Sequence, residues 1–440
     1  MNKNFMLNIF KENIFQKYCL IAVMLFLSFS MIQGQETSFP SSLIQKSILK
    51  IYSNPTDYNY WWLEKNNYGK YIIDKEIEYD LKLTKSNTTY QFNISNAYKE
   101  DKTLSFGESF IKHNFSKDTF IRVGKYYRDF SDYLNDELSS GSMLVSKNSQ
   151  PMPKLGLVHS QKIKKNQNIY FDFGIAHGFF KKNNYYPKAP YLHEKFFYMH
   201  IKKNNYQISI GAVHEAMWGG SNSWGNLPST FEDFLKVFIA EDGPDRGGPH
   251  TNAIGNHLGI WDFYYQKKEN EKKIKLYYQH FFEDTSSLRF INQTDGLWGI
   301  ELENYIPNTN FVLEYLDTTH CCINPPYQDD DYYGSWQYLG GWRYENIIIG
   351  NPFVNTMPLL DEWERNRELI ELVHIAIQGK ILSNYYEIKG SRKINVNDTI
   401  RYKIEIGKII KDKFDLNVFM VNNNTTHSLG VSISYLLKIS

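Results

Sequence analysis

The sequence predicts an all-β chain: a transmembrane antiparallel β-barrel of about eighteen strands with long extracellular loops. Three observations carry this. Apolar and polar residues alternate with period two in segment after segment. The chain is aromatic and polar at once, with 33 Tyr, 29 Phe and 9 Trp making 16% of it and a mean hydropathy of −0.49. Very short turns rich in Lys and Asn (202–205, 267–271) alternate with very long connections. A membrane barrel uses that mixture, with rings and aliphatic groups toward lipid and polar groups toward the interior. The 42% hydrophobic and 22% charged residues exclude wholesale disorder. A net charge of +1, from 49 basic and 48 acidic residues, argues against nucleic acid as a partner.

From the N-terminus, Lys3, Lys11 and Lys17 precede an apolar run from Cys19 to Ile32, and small residues follow at Ser28, Ser30 and Gly34. This predicts a signal peptide over 1–34, since the run is shorter than the roughly 20 residues of a spanning helix. Residues 35–70 form an N-terminal segment, read as either a periplasmic plug element or a first strand. The barrel is assigned to 71–440. Its clearest strand is 71–83, where Tyr71, Ile73, Ile77, Tyr79, Leu81 and Leu83 share one parity and Asp74, Glu76, Glu78, Asp80 and Lys82 the other. The pattern returns at 167–177, 400–407 and 429–437. Weaker versions lie at 88–97, 106–115, 119–126, 154–161, 196–202, 206–215, 257–266, 272–281, 297–304, 310–318, 337–349, 371–379, 382–390 and 413–421. Long connections fall at 127–153, 179–193, 218–256, 282–296, 319–336 and 350–370, with short helices expected at 128–138 and 231–240. Starting the barrel at Tyr71 puts the long loops in the periplasm. An added strand within 43–52 and one miscounted strand after Gly350 would restore them to the outside.

The sequence holds no catalytic constellation. His214-Glu215 lacks the second His four residues on that a zinc-protease helix needs. Gly219-Gly220-Ser221 is no nucleophile elbow, and Asp329–Asp331 lack the spacing of a calcium loop. His320-Cys321-Cys322 lacks further ligands at metal-site spacing. No catalytic residue, metal or cofactor is therefore expected. Glycoside hydrolysis by paired carboxylates is the competing enzyme reading.

The informative stretches are loop segments rich in Trp, Gly and Asn: 138–143 with 149–153, 217–220 leading to Leu227-Pro228 and Asp233-Phe234, 255–259, 295–301, 314–317, and 341–344 closing on 350–352. Taken in this order, from about Trp61 to Asn355, they resemble the capsule assembly outer-membrane protein family known as Wzi. The resemblance implies an eighteen-stranded barrel with a helical periplasmic plug and extracellular loops over the mouth. It also implies a lectin-like, non-catalytic role in attaching capsular polysaccharide. The sequence departs from the family pattern at Cys321-Cys322, in a short N-terminal plug region, and in an end at Leu437–Ser440 without a terminal aromatic.

A pyranose offers an apolar C–H face to flat rings and a hydroxyl rim to carboxylates, amides and Arg. Trp218, Trp224, Asp245 and Arg246 on the longest loop fit that chemistry, as do Trp298, Trp336, Trp342 and Arg343. The competing reading has these rings packing loop against loop. The expected partners are capsular or extracellular polysaccharide, outer-membrane lipid and the barrel insertion machinery. A porin or sugar channel is the alternative function. The long loop at 218–256 is expected to fold inward over the mouth.

Overall fold

A computed structural model describes residues 42–51, 61–70, 75–98, 103–241, 253–283, 288–320, 332–335, 337–354, 368–410, 414–423 and 426–435. The assigned signal peptide and Cys321-Cys322 lie outside them. In chain order the strands are β1 (Ser42–Ile51), β2 (Lys75–Lys85), β3 (Thr88–Tyr98), β4 (Thr103–Phe106), β5 (Ser109–Asn114), β6 (Thr119–Tyr126), β7 (Met152–Ile163), β8 (Asn166–Phe179), β9 (Tyr191–Lys203) and β10 (Tyr206–Trp218). There follow β11 (Ser221–Asn222), β12 (Gly225–Asn226), β13 (Asn256–Glu269), β14 (Lys272–Phe282), β15 (Gly296–Glu303), β16 (Thr309–Asp317), β17 (Arg343–Tyr344) and β18 (Ile347–Ile348). The last are β19 (Glu371–Ile381), β20 (Asn384–Lys393), β21 (Arg401–Ile410), β22 (Phe414–Asn423) and β23 (Thr426–Tyr435). Two short helices, α1 (Trp61–Glu64) and α2 (Phe231–Ile239), lie in connections.

Nineteen of these strands form one sheet, each beside its chain neighbour; β11–β12 and β17–β18 are separate two-residue hairpins. β4 and β5 lie end to end against β3, pairing with 94–97 and 88–91 respectively, so the nineteen segments fill eighteen strand positions. Two differences from the sequence reading offset each other in that count. β1 is an added strand, and its apolar residues (Leu43, Ile44, Ile48, Leu49, Ile51) fall on both parities, so no alternation announces it. The alternation at 337–349 is not a spanning strand. Gly341 turns there at φ 61°, Glu345 and Asn346 turn again at φ 52° and 65°, and the two-residue strands β17 and β18 pair only with each other, outside the large sheet. With β1 in place, the long connections 127–151, 219–255 and 318–370 all leave the same end of the strands. Turns such as 164–165, 204–205 and 270–271 leave the other.

The expected helix at 128–138 is a string of turns, with Ser131 in the left-handed region at φ 48°. The one at 231–240 is α2. A reciprocal capping box between Thr230 and Asp233 starts it, and left-handed Ala240 (φ 53°) ends it.

The two faces of the sheet differ in kind. Leu155, Leu157, Phe173, Phe197, Ile208, Ile210, Ile300, Ile375, Ile406 and Leu429 alternate onto an exposed apolar face. The opposite parity buries Lys154, Glu194, Glu215, Asp262, Lys275, Gln279, Glu301, Glu314, His374 and Glu387. Apolar outside and charged inside is the reverse of a water-soluble sandwich and is the arrangement a membrane imposes.

Candidate functional site

The inner face is filled by the chain's own connections. The segment 127–151 runs along it, and its serines Ser139, Ser140, Ser142, Ser146 and Ser149 are all buried. Small side chains let its backbone come within hydrogen-bond reach of the strands. Glu314 on β16 accepts Ser139 Oγ at 2.7 Å, the Ser140 N–H at 2.6 Å and Tyr277 Oη at 2.6 Å. Asp262 on β13 accepts Tyr133 Oη at 2.5 Å, Tyr198 Oη at 2.7 Å and Ser131 Oγ. Gln279 accepts the Met143 N–H at 3.0 Å, and His374 Nε2 bonds the Leu138 carbonyl at 2.7 Å. Lys275 spans Glu301 (2.7 Å) and the Tyr133 carbonyl (2.9 Å). Near the start of the segment, Lys154 holds Glu194 at 2.8 Å and the Tyr127 carbonyl at 2.5 Å, and Asp129 pairs with Arg122 at 2.9 Å.

Two tyrosines reach these carboxylates because glycine faces them. Tyr198 pairs across strands with Gly211, and Tyr277 with Gly299. A β-carbon at either glycine would overlap the facing ring. Each ring lies flat over the neighbouring strand, which carries its hydroxyl to Asp262 or Glu314.

Two further segments close over this one. Residues 61–70 bring Trp61 and Trp62 against Phe353, with centroids 4.6 and 5.9 Å apart, and Asn66 Nδ2 donates to the Ser140 carbonyl at 2.6 Å. From 332–354, Tyr333 Oη donates to the Met143 carbonyl at 2.5 Å, Asn351 Nδ2 to the Gly141 carbonyl at 2.7 Å, and Asn148 Nδ2 to the Ile348 carbonyl at 2.8 Å. At the same end, Asp295 accepts Tyr332 Oη at 2.6 Å and the His320 N–H at 2.9 Å. The donor atoms of Asp295, Asp317 and His320 lie within 4.8 Å of one another. Among the described residues this is the one group whose geometry could hold a metal. The same atoms are tied by hydrogen bonds: His320 Nδ1 lies 3.2 Å from Asp295 and 3.4 Å from Asp317, whose other oxygen accepts the Thr319 N–H at 2.8 Å. Burial pushes the Asp295 carboxyl up to about 6.

Among the described residues, those expected to bind sugar do not converge. Trp218 is on the outer parity of β10, between Tyr191 (5.0 Å) and Phe234 of α2 (5.3 Å). Its loop therefore lays α2 on the outer face of the sheet, while 127–151 runs along the inner face. Trp298 is also on the outer face, stacked on Tyr278 at 3.7 Å. Trp342 is fully buried against Phe180 in the 332–354 layer. Trp224, at the β11–β12 tip, is 54% exposed. Asn222 ties that hairpin to the Gln337 carbonyl at 3.0 Å. Arg343 is half-buried with Tyr185 and Tyr186 beside it and donates to the Gly340 carbonyl at 3.1 Å. Asp245, Arg246 and Trp336 lie outside the described residues. Sequence reasoning did not single out Asp262, Gln279, Glu301 and Glu314. Their position on the polar parity, opposite a serine-rich connection, was the available signal.

The chain belongs to the family described as capsule assembly protein Wzi, whose profile matches residues 66–356. It is accordingly an outer-membrane β-barrel with a capsule-related role. No curated protein matches it. Among solved structures, a triple mutant of Rhodopseudomonas blastica porin aligns over 90% of this chain and 99% of its own at 6% identity and a TM-score of 0.38. A loop-deletion mutant of OmpT, an outer membrane protein of Vibrio cholerae, aligns over 90% and 98% at 10% identity and a TM-score of 0.31.

Two outcomes are expected. Glu314→Ala strands three buried donors, a cost of about 3 kcal/mol or more. Limited proteolysis of the folded protein should then cut within 127–151, where the wild type resists; equal resistance would remove Glu314 as an anchor. Asp295, raised from 3.8 to about 6, favours the folded loop layer while protonated. That contribution is complete below the ordinary value and is lost as pH rises through about 6. Amide exchange in 332–350, corrected for intrinsic rates, should accelerate through that window in wild type and not in Asp295→Asn.

Proposed function

We propose that this member of the Wzi family binds capsular or extracellular polysaccharide at its extracellular loop surface and holds it to the cell, lectin-like and without catalysis. The observation that carries the reading is the filled interior. With 61–70, 127–151 and 332–354 hydrogen-bonded into one layer, the inner face is occupied by protein, and the outer side of that layer is what remains for a long polymer. The same filling weighs against the porin or sugar-channel reading. The non-catalytic reading is supported by the state of three inward carboxylates. Asp262 and Glu314 each accept three hydrogen bonds from the protein, and Glu301 is held by Lys275 and Asn135, so these three are not poised toward a substrate.

Within the expected set, Trp224 and Arg343 suit sugar contact. Trp224 offers an exposed ring to a pyranose face, and Arg343 offers donors to hydroxyl or carboxylate groups. Asp245, Arg246 and Trp336 belong to the same loops by sequence and complete the proposed surface. Trp218, Trp298 and Trp342 serve packing in this reading. The route to the membrane is export behind a leader cleaved after Gly34, followed by insertion through the barrel assembly machinery. Lipid then meets the apolar outer face.

The test is cell-bound against shed polysaccharide at matched barrel abundance. A stacking or charge-assisted contact contributes about 1–2 kcal/mol, so Trp224→Ala and Arg343→Ala should each weaken retention roughly tenfold. Trp298→Ala should leave retention per molecule unchanged. Wild-type retention in the Trp224→Ala, Arg343→Ala double variant would remove this surface from consideration.

A further inference from the structure

The outer face of β8, β9, β10 and β13 carries a polar patch where a membrane barrel should be apolar. His177, His193, Ala216 and His257 form one cross-strand row on the outward parity, and Lys195 and His214 sit in the next row. Yet His193 is fully buried and His257 nearly so. The cover is α2. Phe234 meets both His177 and His193, at 5.1 and 5.4 Å, and Phe238 meets His193 at 5.2 Å. Val237 packs on Ala216 with Ile254, and Lys195 Nζ donates to the Phe238 carbonyl near the helix C-terminus. A cation there suits the negative end of the helix dipole.

Packing uses only part of the apolar surface of α2. Phe234 and Val237 point at the strands. Phe231, Leu235 and Ile239, spaced i, i+4 and i+8, are 75%, 50% and 66% exposed on an adjoining stripe. Glu232, Asp233 and Lys236 occupy the remaining arc. A helix with one side on protein, one apolar side uncovered and one polar side has the anatomy of an in-plane interfacial helix. Its depth agrees. α2 packs against Trp218, next to Tyr191, and the outer face continues through Trp261, Tyr278 and Trp298, an aromatic band of the kind found at membrane–water boundaries. The strands α2 covers carry exposed Phe179, Phe197 and Ile210 on the same outward parity.

We propose that α2 lies in the outer leaflet boundary, with Phe231, Leu235 and Ile239 among acyl chains, and roofs the His193–Lys195 patch against lipid. An outward ionisable group in hydrocarbon is costly, and the helix removes that exposure while anchoring the 219–255 connection to the membrane. This does not depend on polysaccharide binding.

The experiment is site-directed spin labelling of the full chain in phosphatidylcholine vesicles, with Cys19, Cys321 and Cys322 replaced by serine. Single cysteines are placed at Phe231, Leu235, Ile239, Glu232 and Lys236. Heat-modifiable migration verifies that each variant is folded. Labels at 231, 235 and 239 should show an oxygen-to-nickel-chelate collision ratio at least about threefold above those at 232 and 236, as for side chains in acyl chains. Chelate-dominated collisions at all five positions would put the helix in water and overturn the proposal. Labels at 231, 235 and 239 that collide with neither reagent would place another protein on the stripe and overturn it equally.

Discussion

A sheet that turns its apolar side chains to lipid must satisfy its charged side chains inside, and in this protein the partner is the chain itself. Asp262, Gln279, Glu301, Glu314 and His374, on five different strands, all bond the single connection 127–151. An inward carboxylate could be hydrated in an open lumen. Here each is dry and multiply bonded, so the connection cannot leave without stranding buried donors and acceptors together. The layers built from 61–70 and 332–354 rest on that segment, and the outer surface of the loops rests on them.

The same physics operates in reverse on the outside. Where the outward parity carries His193 and Lys195 instead of Ile or Leu, a helix covers them, and its own uncovered stripe is apolar. The α2 part of the long 219–255 connection is thereby held on the outer face of the sheet. The 332–354 layer and the Trp224 hairpin, which bonds that layer at Gln337, form the surface assigned here to polysaccharide.

Period-two alternation made the strands legible because each residue of a lipid-facing strand meets one of two very different media. It failed where that contrast was missing. β1 mixes apolar residues on both parities, and 337–349 alternates between the buried and the open side of a loop layer whose strands, β17 and β18, are two residues long. The loop asymmetry still implied a strand within 43–52, which is where β1 lies. Site residues were harder to read. Trp218 and Trp298 were chosen for chemistry, but whether a tryptophan at a strand end faces lipid or the mouth depends on register, and both fall on the outward parity. The Trp and Gly content of 218–256 marks that loop as the one to fold inward over the mouth. The segment that fills the interior, 127–151, is instead marked by buried serines, whose small size lets backbone reach carboxylates.

The central claim is that the interior is closed by protein, and planar-bilayer recording of the purified wild-type protein tests it most directly. The account predicts no large steady conductance under voltages at which an open porin conducts. Stable, porin-sized steps in wild type would mean that the network around Asp262 and Glu314 does not seal the barrel, and would contradict the account.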